Sequence, residues 1–579
     1  MSRFQEFVSE LRRRRVFRAI VAYAIAVFAV LQVVEPVMHG LDLPEWVLRA
    51  VVIALGVGFP IVVVLAWAFD LKATGIERAG ASATAPKGAR LALLLVGVGM
   101  LFAAPGFVYY FVFGGGAGRA RSGASGPDLP SIAVLPFVDM SPQRDQEYFS
   151  DGLAEEILNA LAHVDGLRVT GRTSSFSFKG RNDDLRAIGQ KLNVGTVLEG
   201  SVRKEGNRIR VTAQVVKVAD GFHLWSETYD RELAGVFSVQ DDIARSVVEA
   251  LKVRLLPGQA PRPEARSTAN SEAYTQFLIG RQMFNRNSMD GLKRSAEAFQ
   301  RAVALDPGFA PAWAALSMAL DAVHDDADGG AARRNALAAA DKAIALDPSL
   351  AEGYNARGIL RARLDWDWKG AEADLERALA LQPGDAVTQR RYGILRLLLG
   401  RPTEAIDSLR KAVDLDPLSA IAWSWLAKAY VATGQGDQAL AAARRATEIA
   451  PDSEDLKGTQ AVLDLLQGRA AQVLPAILTV PDEGQRLLGE ALVEHDLGHE
   501  AAAGKALSTL VEKYPKKAYE VASVYAWYGD RDRAFEWFDR AVAAHDSALA
   551  DVRYDPLLSK IRGDPRYAML LRRMNFPAD

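Results

Sequence analysis

Apolar and polar residues follow three successive patterns along this chain. In the first part the apolar positions form three long, nearly continuous runs, at about 16–38, 46–69 and 90–113. Each is long enough for a helix crossing a hydrocarbon layer about 30 Å thick, which takes about 20 residues. A helix also bonds its own backbone groups there, so three transmembrane α-helices are expected. The second pattern is shorter. Ser131–Phe137 (SIAVLPF) is an apolar run suited to a strand covered on both faces. Ile209, Val211, Ala213 and Val215 alternate with Arg208, Arg210, Thr212 and Gln214, the period of a strand with one wet face. Further strands are expected at 167–170 and 196–203, and helices at about 150–163, 185–192 and 240–255. The order βαβαββα makes 131–256 a small α/β domain.

From residue 268 the chain is alanine-rich and helical in period. A motif of the form A-hydrophobic-x-L-x-P ends at Pro307, Pro348, Pro383 and Pro417, with a looser copy at Pro451; the intervals are 41, 35, 34 and 34 residues. The last value is the tetratricopeptide period, and the long first interval holds an insertion near 321–334. Ala371, Leu375 and Ala378 recur as Ala405, Leu409 and Ala412, then as Ala439, Ala443 and Ala446. Trp313 and Leu316 recur as Trp423 and Leu426, while Gly358 and Gly393 mark close approach of paired helices. About seven units are expected over 268–579, a C-terminal all-α tetratricopeptide solenoid. Such units cannot bury an apolar face alone, so they stack and form a concave surface.

Basic residues give the apolar runs a direction. Arg12, Arg13, Arg14 and Arg15 precede the first run; Lys72, Arg78, Lys87 and Arg90 lie between the second and third; 39–45 carries only Asp42 and Glu45 as firm charges. The expectation is a cytoplasmic tail (1–15), an anchor (16–113) in a bacterial inner membrane, a flexible neck (114–130) and a periplasmic C-terminal region, with a linker at 257–267. Glu35 and Arg49 read either as residues snorkelling at a boundary or as a pathway within the membrane. A net charge of -2 leaves no basic surplus for nucleic acid. With no cysteine, disulfides and thiolate chemistry are absent.

Four ordered blocks, SIAVLPF, EYFSDGLAEEIL, VLEGSVRKEGNRIRVTAQ and HLWSETYDREL, resemble the TolB amino-terminal-type domain over about 131–255. ELRRRRVFRAIVAYAI and FPIVVVLAWAFDLKATGIER are similar to the anchor of bacterial membrane-anchored tetratricopeptide proteins that carry this domain. That family is sometimes labelled adenylate cyclase-like. Some of its members bear a nucleotide-cyclase or winged-helix domain at the front, where this sequence has a short basic tail, so no enzyme is expected.

By resemblance to the repeat family, Asn355, Arg390, Ser424 and Lys428 fall on inward positions of the first helices, where they would grip a peptide's backbone and carboxylates. Taken singly, each residue reads more simply as a polar group on a solvated helix face. No catalytic, cofactor or metal residue is singled out. Gly498–Lys505 (GHEAAAGK) has its glycines one residue too far apart for a phosphate loop, and Ala506 stands where Ser or Thr is required. His495 and His499 lie beside Glu494 and Glu500, but Gly498 places a turn between the rings. Asp325, Asp326 and Asp328 lack the spacing of a calcium loop, and Arg168, Arg172 and Arg203 are candidate anion ligands of the α/β domain. The expected function is a membrane-anchored interaction scaffold that recruits partners through the concave face, with sensing by the α/β domain. The alternatives are a transmembrane signalling regulator with a cytoplasmic partner and a nucleotide cyclase-related enzyme. Expected partners are proteins or peptides and the lipid bilayer, with no nucleic acid, small-molecule ligand or cofactor.

Overall fold

The computed structural model describes residues 130–577 apart from short stretches (165, 182, 233–235, 252–267, 287, 324–330 and 452), together with Tyr23, Val27 and two strands, β1 (Phe69–Lys72) and β2 (Gly75–Arg78). Residues 1–127 form one compact unit and 128–579 another.

The structure corrects the membrane expectation. Among the described residues no helix is long and apolar enough to cross a membrane. The runs 16–38, 46–69 and 90–113 lie outside the described residues except at Tyr23, Val27 and Phe69, as do Glu35 and Arg49. Phe69 begins β1, which pairs antiparallel with β2, rather than ending a helix. A three-span fold class, an inner-membrane location with a periplasmic C-terminal region and the lipid bilayer as a partner are therefore not supported among the described residues. The physical reason is that apolar length is necessary for a span but does not by itself fix the conformation of the run.

In the second unit the sheet comprises β3 (Ser131–Val134), β4 (Val138–Asp139), β5 (Arg168–Val169), β6 (Thr196–Glu205), β7 (Arg208–Lys217) and β8 (His223–Glu232). The order is β5-β3-β6-β7-β8, with β4 also on β6. β3 runs parallel to β5 and β6, and β6, β7 and β8 form an antiparallel meander. β3 is covered on both sides. Ile132 and Val134 pack with Leu153, Ile157 and Val211, while Ala133 and Leu135 pack with Ile188 and Leu192. β7 alternates as expected, with Ile209, Val211, Ala213 and Val215 buried. β8 is an additional strand. It is an edge strand with only Tyr229 buried, so it carries no apolar stripe to announce it.

Eight antiparallel helix pairs follow among the described residues. The first five pair Ser271–Asn285 with Met289–Leu305, Ala310–Ala322 with Ala331–Leu346, Ala351–Leu364 with Trp368–Leu381, Ala386–Leu398 with Pro402–Leu415, and Ala420–Ala432 with Gly436–Ile449. The last three pair Glu454–Leu466 with Ala470–Ile477, Glu483–Asp496 with Glu500–Lys513, and Ala518–Tyr528 with Arg531–Ala543. The small-residue sites do what close packing requires: a Cβ on Gly393 would sit 2.7 Å from Leu409. One contact recurs through four turns. The residue six after each proline reaches back to that proline's carbonyl, from Trp313 to Pro307 (3.0 Å), Tyr354 to Pro348 (3.3 Å), Gln389 to Pro383 (3.4 Å) and Trp423 to Pro417 (3.0 Å). The two tryptophans are thus half-buried clamps on the turn.

The sheet and the repeats share a core. Phe149 of the helix Glu147–Ala162 meets Tyr274 of the first pair, and the cluster continues through Phe277 and Phe299. Arg281 crosses the same boundary to Glu155 at 2.6 Å.

Candidate functional site

The first helices of the third to seventh pairs line a cavity of about 1240 Å³, which residues 547–557 close from the far end of the chain. Its wall is apolar over Ile394, Leu395, Leu398, Ile421 and Leu466, and cationic at Arg363, Arg390, Arg391 and Lys428. Successive first-helix positions bring these residues to one side because each repeat presents the same inner face.

Two adjacent arginines dominate the electrostatics. Burial in the concavity lowers the pKa of Arg390. Burial, followed by the Arg390 charge, brings Arg391 down to about 10. Among the described residues no carboxylate lies within ion-pair distance of either, and Arg391 instead donates to Asn355 Oδ1 at 2.6 Å. Asn355 in turn donates to Thr388 Oγ1, and Thr388 to Asp385. A positive surplus in a partly desolvated groove, offset only in part at Arg390 by the more distant Asp416 and Asp385 charges, is a place where an anion gains more than in water. Lys428 stands with its Nζ 4.2 Å from the centroid of Trp425. Opposite charge comes from the closing segment. Burial pushes Asp551 and Asp555 above the usual carboxylate range, opposed in both by the Lys428 charge.

The four expected partner-binding residues divide. Arg390, Ser424 and Lys428 line the cavity. Asn355 is buried and orients Arg391, so it acts one step behind the wall. Sequence reasoning missed Arg391, Arg363, Trp425 and the closing segment. The signal available was the doublet Arg390-Arg391 on an otherwise amphipathic helix.

The other candidates do not assemble. His495 pairs with Glu500 at 3.1 Å and His499 with Glu494 at 2.6 Å, so each ring has its own carboxylate across the Gly498 turn. The residues Asp325, Asp326 and Asp328 lie outside the described residues. Arg172 is tied to Glu155 at 2.9 Å, Arg203 to Glu205 at 3.4 Å, and Arg168 to the carbonyl of Asn193.

Comparison with known proteins bears on two regions. Tetratricopeptide repeat profiles match residues 365–419 and 396–463, so this part of the array consists of tetratricopeptide repeats, a fold that serves protein interaction. Residues 128–246 match the second domain of HilA/YgeH-like transcriptional regulators. A Rhizobium meliloti (strain 1021) protein named as a candidate adenylate cyclase 3 is 39% identical over 251 residues, 43% of this chain and 42% of that protein. Superkiller protein 3 of Schizosaccharomyces pombe is 29% identical over 220 residues, 36% of this chain and 15% of its own length. The chain thus spans less than half of either relative. Among solved structures, a tetratricopeptide protein of Thermus thermophilus (23% identity, 33% of this chain and 99% of that one, TM-score 0.29) is similar. So is the repeat protein YrrB, at 22% identity over 37% of this chain and 99% of that one, with a TM-score of 0.25.

Proposed function

We propose that this protein is an interaction scaffold that holds an acidic peptide segment of a partner protein in the cationic groove of its repeats. The observation that carries the reading is the Arg390-Arg391 pair, facing the cavity with no carboxylate of the described chain bonded to either. Arg390, Arg391 and Lys428 receive the carboxylates, Trp425 and the leucine wall take apolar side chains, and Ser424 serves the peptide backbone. This division of labour follows groove recognition, where charges set register and pockets set preference. The α/β domain, bonded through Ser174 to Asp416 and Leu418, buttresses the fourth pair and with it one wall of the groove. The cyclase activity in the name of the Rhizobium meliloti relative is left with that protein, since this chain covers 42% of it.

The test is photo-crosslinking from Ile421, a cavity-lining residue that is 51% exposed. A benzophenone side chain there, in the full chain in its native cell, should capture one acidic segment, and Arg390→Glu should abolish the product. Capture that is unchanged by Arg390→Glu would refute the groove as the partner site.

A second reading rests on the match of 128–246 to a domain of transcriptional regulators. On that reading the captured partner belongs to the transcription apparatus, and the same crosslink identifies it.

A further inference from the structure

The solenoid does not end free. After the eighth pair the chain turns back, and the segment Ser547–Arg553 packs on the first helices of the third and fourth pairs. Trp366 stacks on His545 with ring centroids 4.7 Å apart, and Trp368 stacks on Phe576 at 4.3 Å. The indole N–H of Trp368 donates to the carbonyl of Met574 at 2.8 Å, a contact between residues 206 apart in sequence.

The backbone is strained at this closure. Three non-glycine residues with left-handed φ meet there: Trp366 (50°), His545 (50°) and Asn575 (53°). The strain at Trp366 is visible against its own repeats. The equivalent turn position in the next three units is glycine, Gly400, Gly434 and Gly468, at φ 76°, 71° and 71°. A bulky side chain at such a φ is a true outlier, and it persists only where surrounding contacts over-determine it. Here those contacts are made to the end of the same chain. The returning segment also places Asp551, Tyr554 and Asp555 at the cavity, with Tyr554 edge-on to Trp425 at 6.0 Å.

We propose that residues 545–577 form a strap that keeps the groove occupied by the chain's own Asp551–Asp555, and that a partner's acidic, aromatic segment binds in exchange for it. This rests on the groove being the partner site and adds two things: the chemistry of the partner segment, carboxylates flanking an aromatic ring, and a closed resting state. Lys428 serves both occupants. Trp366 and Trp368 hold the strap outside the exchanged segment, while Phe576 stacks on Trp368 and also carries the Arg553 guanidinium over its ring at 5.5 Å.

The chain has no cysteine, so the full protein takes one dye pair cleanly at Lys369→Cys and Ser559→Cys, both exposed positions. The probe ligand is a fluorescein-labelled peptide copying residues 547–558, offered in trans. Trp366→Gly installs the glycine of the neighbouring repeats, so the third pair folds while the strap loses its ring contact; Phe576→Ala removes the second contact from the other side. Both variants should increase the dye separation. Since apparent affinity scales with the open fraction, both should tighten peptide binding by about tenfold or more. Lys428→Glu added to Trp366→Gly should cancel that gain. The strap is refuted if both variants leave distance and affinity within about twofold of wild type. It is refuted equally if the dyes separate without any gain in peptide binding. Partner crosslinking from Ile421 that depends on Arg390 but ignores the strap variants would remove this inference and keep the groove. Strap opening with no Arg390-dependent partner would do the reverse.

Discussion

Asp416 ends the second helix of the fourth pair at the position that Asp306 and Asp347 hold in earlier turns. In those turns the carboxylate accepts from the backbone N–H two residues on, Gly308 at 2.9 Å and Ser349 at 2.8 Å. At Asp416 the corresponding N–H, of Leu418, donates to Ser174 Oγ of the α/β domain at 2.8 Å. Ser174 donates to Asp416 Oδ1 through its hydroxyl and through its backbone N–H, the latter at 2.8 Å. Both side chains are buried, at 0% and 4% exposure. Ser174→Ala therefore orphans the Leu418 N–H and takes one donor from a buried carboxylate. An unsatisfied buried donor costs about 1–3 kcal/mol and a bond to a charged group about 1.5–3 kcal/mol, so a loss of about 3–5 kcal/mol is expected. Asp416→Asn keeps an oxygen for both Ser174 donors and removes a charge that burial disfavours, so it should cost less than about 1 kcal/mol. Burial pushes the Asp416 pKa above the carboxylate range. Below the unfolded-state value both states are protonated and the charge has no cost; the cost grows between the two values and is complete above the folded one. The stability of wild type relative to Asp416→Asn should thus improve as the pH falls into the carboxylate range. Urea unfolding followed by circular dichroism, at neutral pH and across the acid limb, reads all of this. A Ser174→Ala cost under about 0.5 kcal/mol, well below an orphaned donor, or an Asp416→Asn cost exceeding that of Ser174→Ala, would refute the reasoning.

Further outcomes follow from the same geometry. Arg281→Met leaves the buried Glu155 carboxylate without its 2.6 Å partner and should cost about 3–5 kcal/mol by thermal unfolding, as for a broken buried pair. Burial raises the Glu155 pKa, but Arg281 and Arg172 more than reverse this, so it lies below the usual range. Its stabilisation is therefore present above the unfolded-state value and lost as the pH falls through the folded one, and the acid midpoint should move to higher pH in Arg281→Met. Gly393→Ala puts a Cβ 2.7 Å from Leu409 and should destabilise by about 1–3 kcal/mol. Gly504→Ala, with nothing within 4 Å, should stabilise its helix by about 0.5–1 kcal/mol; equal melting shifts for the two would overturn the packing account. Trp423→Phe deletes the 3.0 Å bond to the Pro417 carbonyl and should cost about 1 kcal/mol in the same unfolding assay.

Periodicity made the repeats legible because a 34-residue spacing repeats its packing demands, so Ala371, Leu375 and Gly358 could be assigned from their copies. The alternation in β7 was legible for the same reason: one face of the strand meets a core. β8 was not, since an edge strand with one buried residue imposes no pattern. The membrane spans found no support among the described residues, and apolar length alone does not fix a conformation. In the groove, the resemblance to the repeat family put Arg390, Ser424 and Lys428 on inward positions, and all three line the cavity. The strap was out of reach because its contacts join residues about two hundred apart, and no local pattern records a partner at that distance. Asn355 was placed on the right helix, but its partner within the chain, Arg391, was not foreseen.

What separates the third and fourth pairs from their neighbours is departure from the repeat, and each departure costs stability locally. Trp366 replaces a glycine that would relax the turn, and Asp416 gives up the bond that Asp306 and Asp347 keep for themselves. Arg390 and Arg391 place two charges side by side with no carboxylate of the described residues at ion-pair distance, although the Asp416 and Asp385 charges act on Arg390 from further off. A solenoid selected for stability alone would remove all three, since each has a simpler solution elsewhere in the same array. Their coincidence on two adjacent pairs of the five that line one cavity ties the costs to that cavity. The α/β domain takes up the freed turn at Leu418, and the strap takes up the strained turn at Trp366. The two contacts differ in what release would expose. Separating Ser174 from Asp416 bares a buried charge and a backbone donor, whereas lifting the strap bares aromatic faces together with the buried Leu549, Val552 and Leu558 and relieves a backbone outlier. The groove should therefore open at the strap while the α/β domain stays in place.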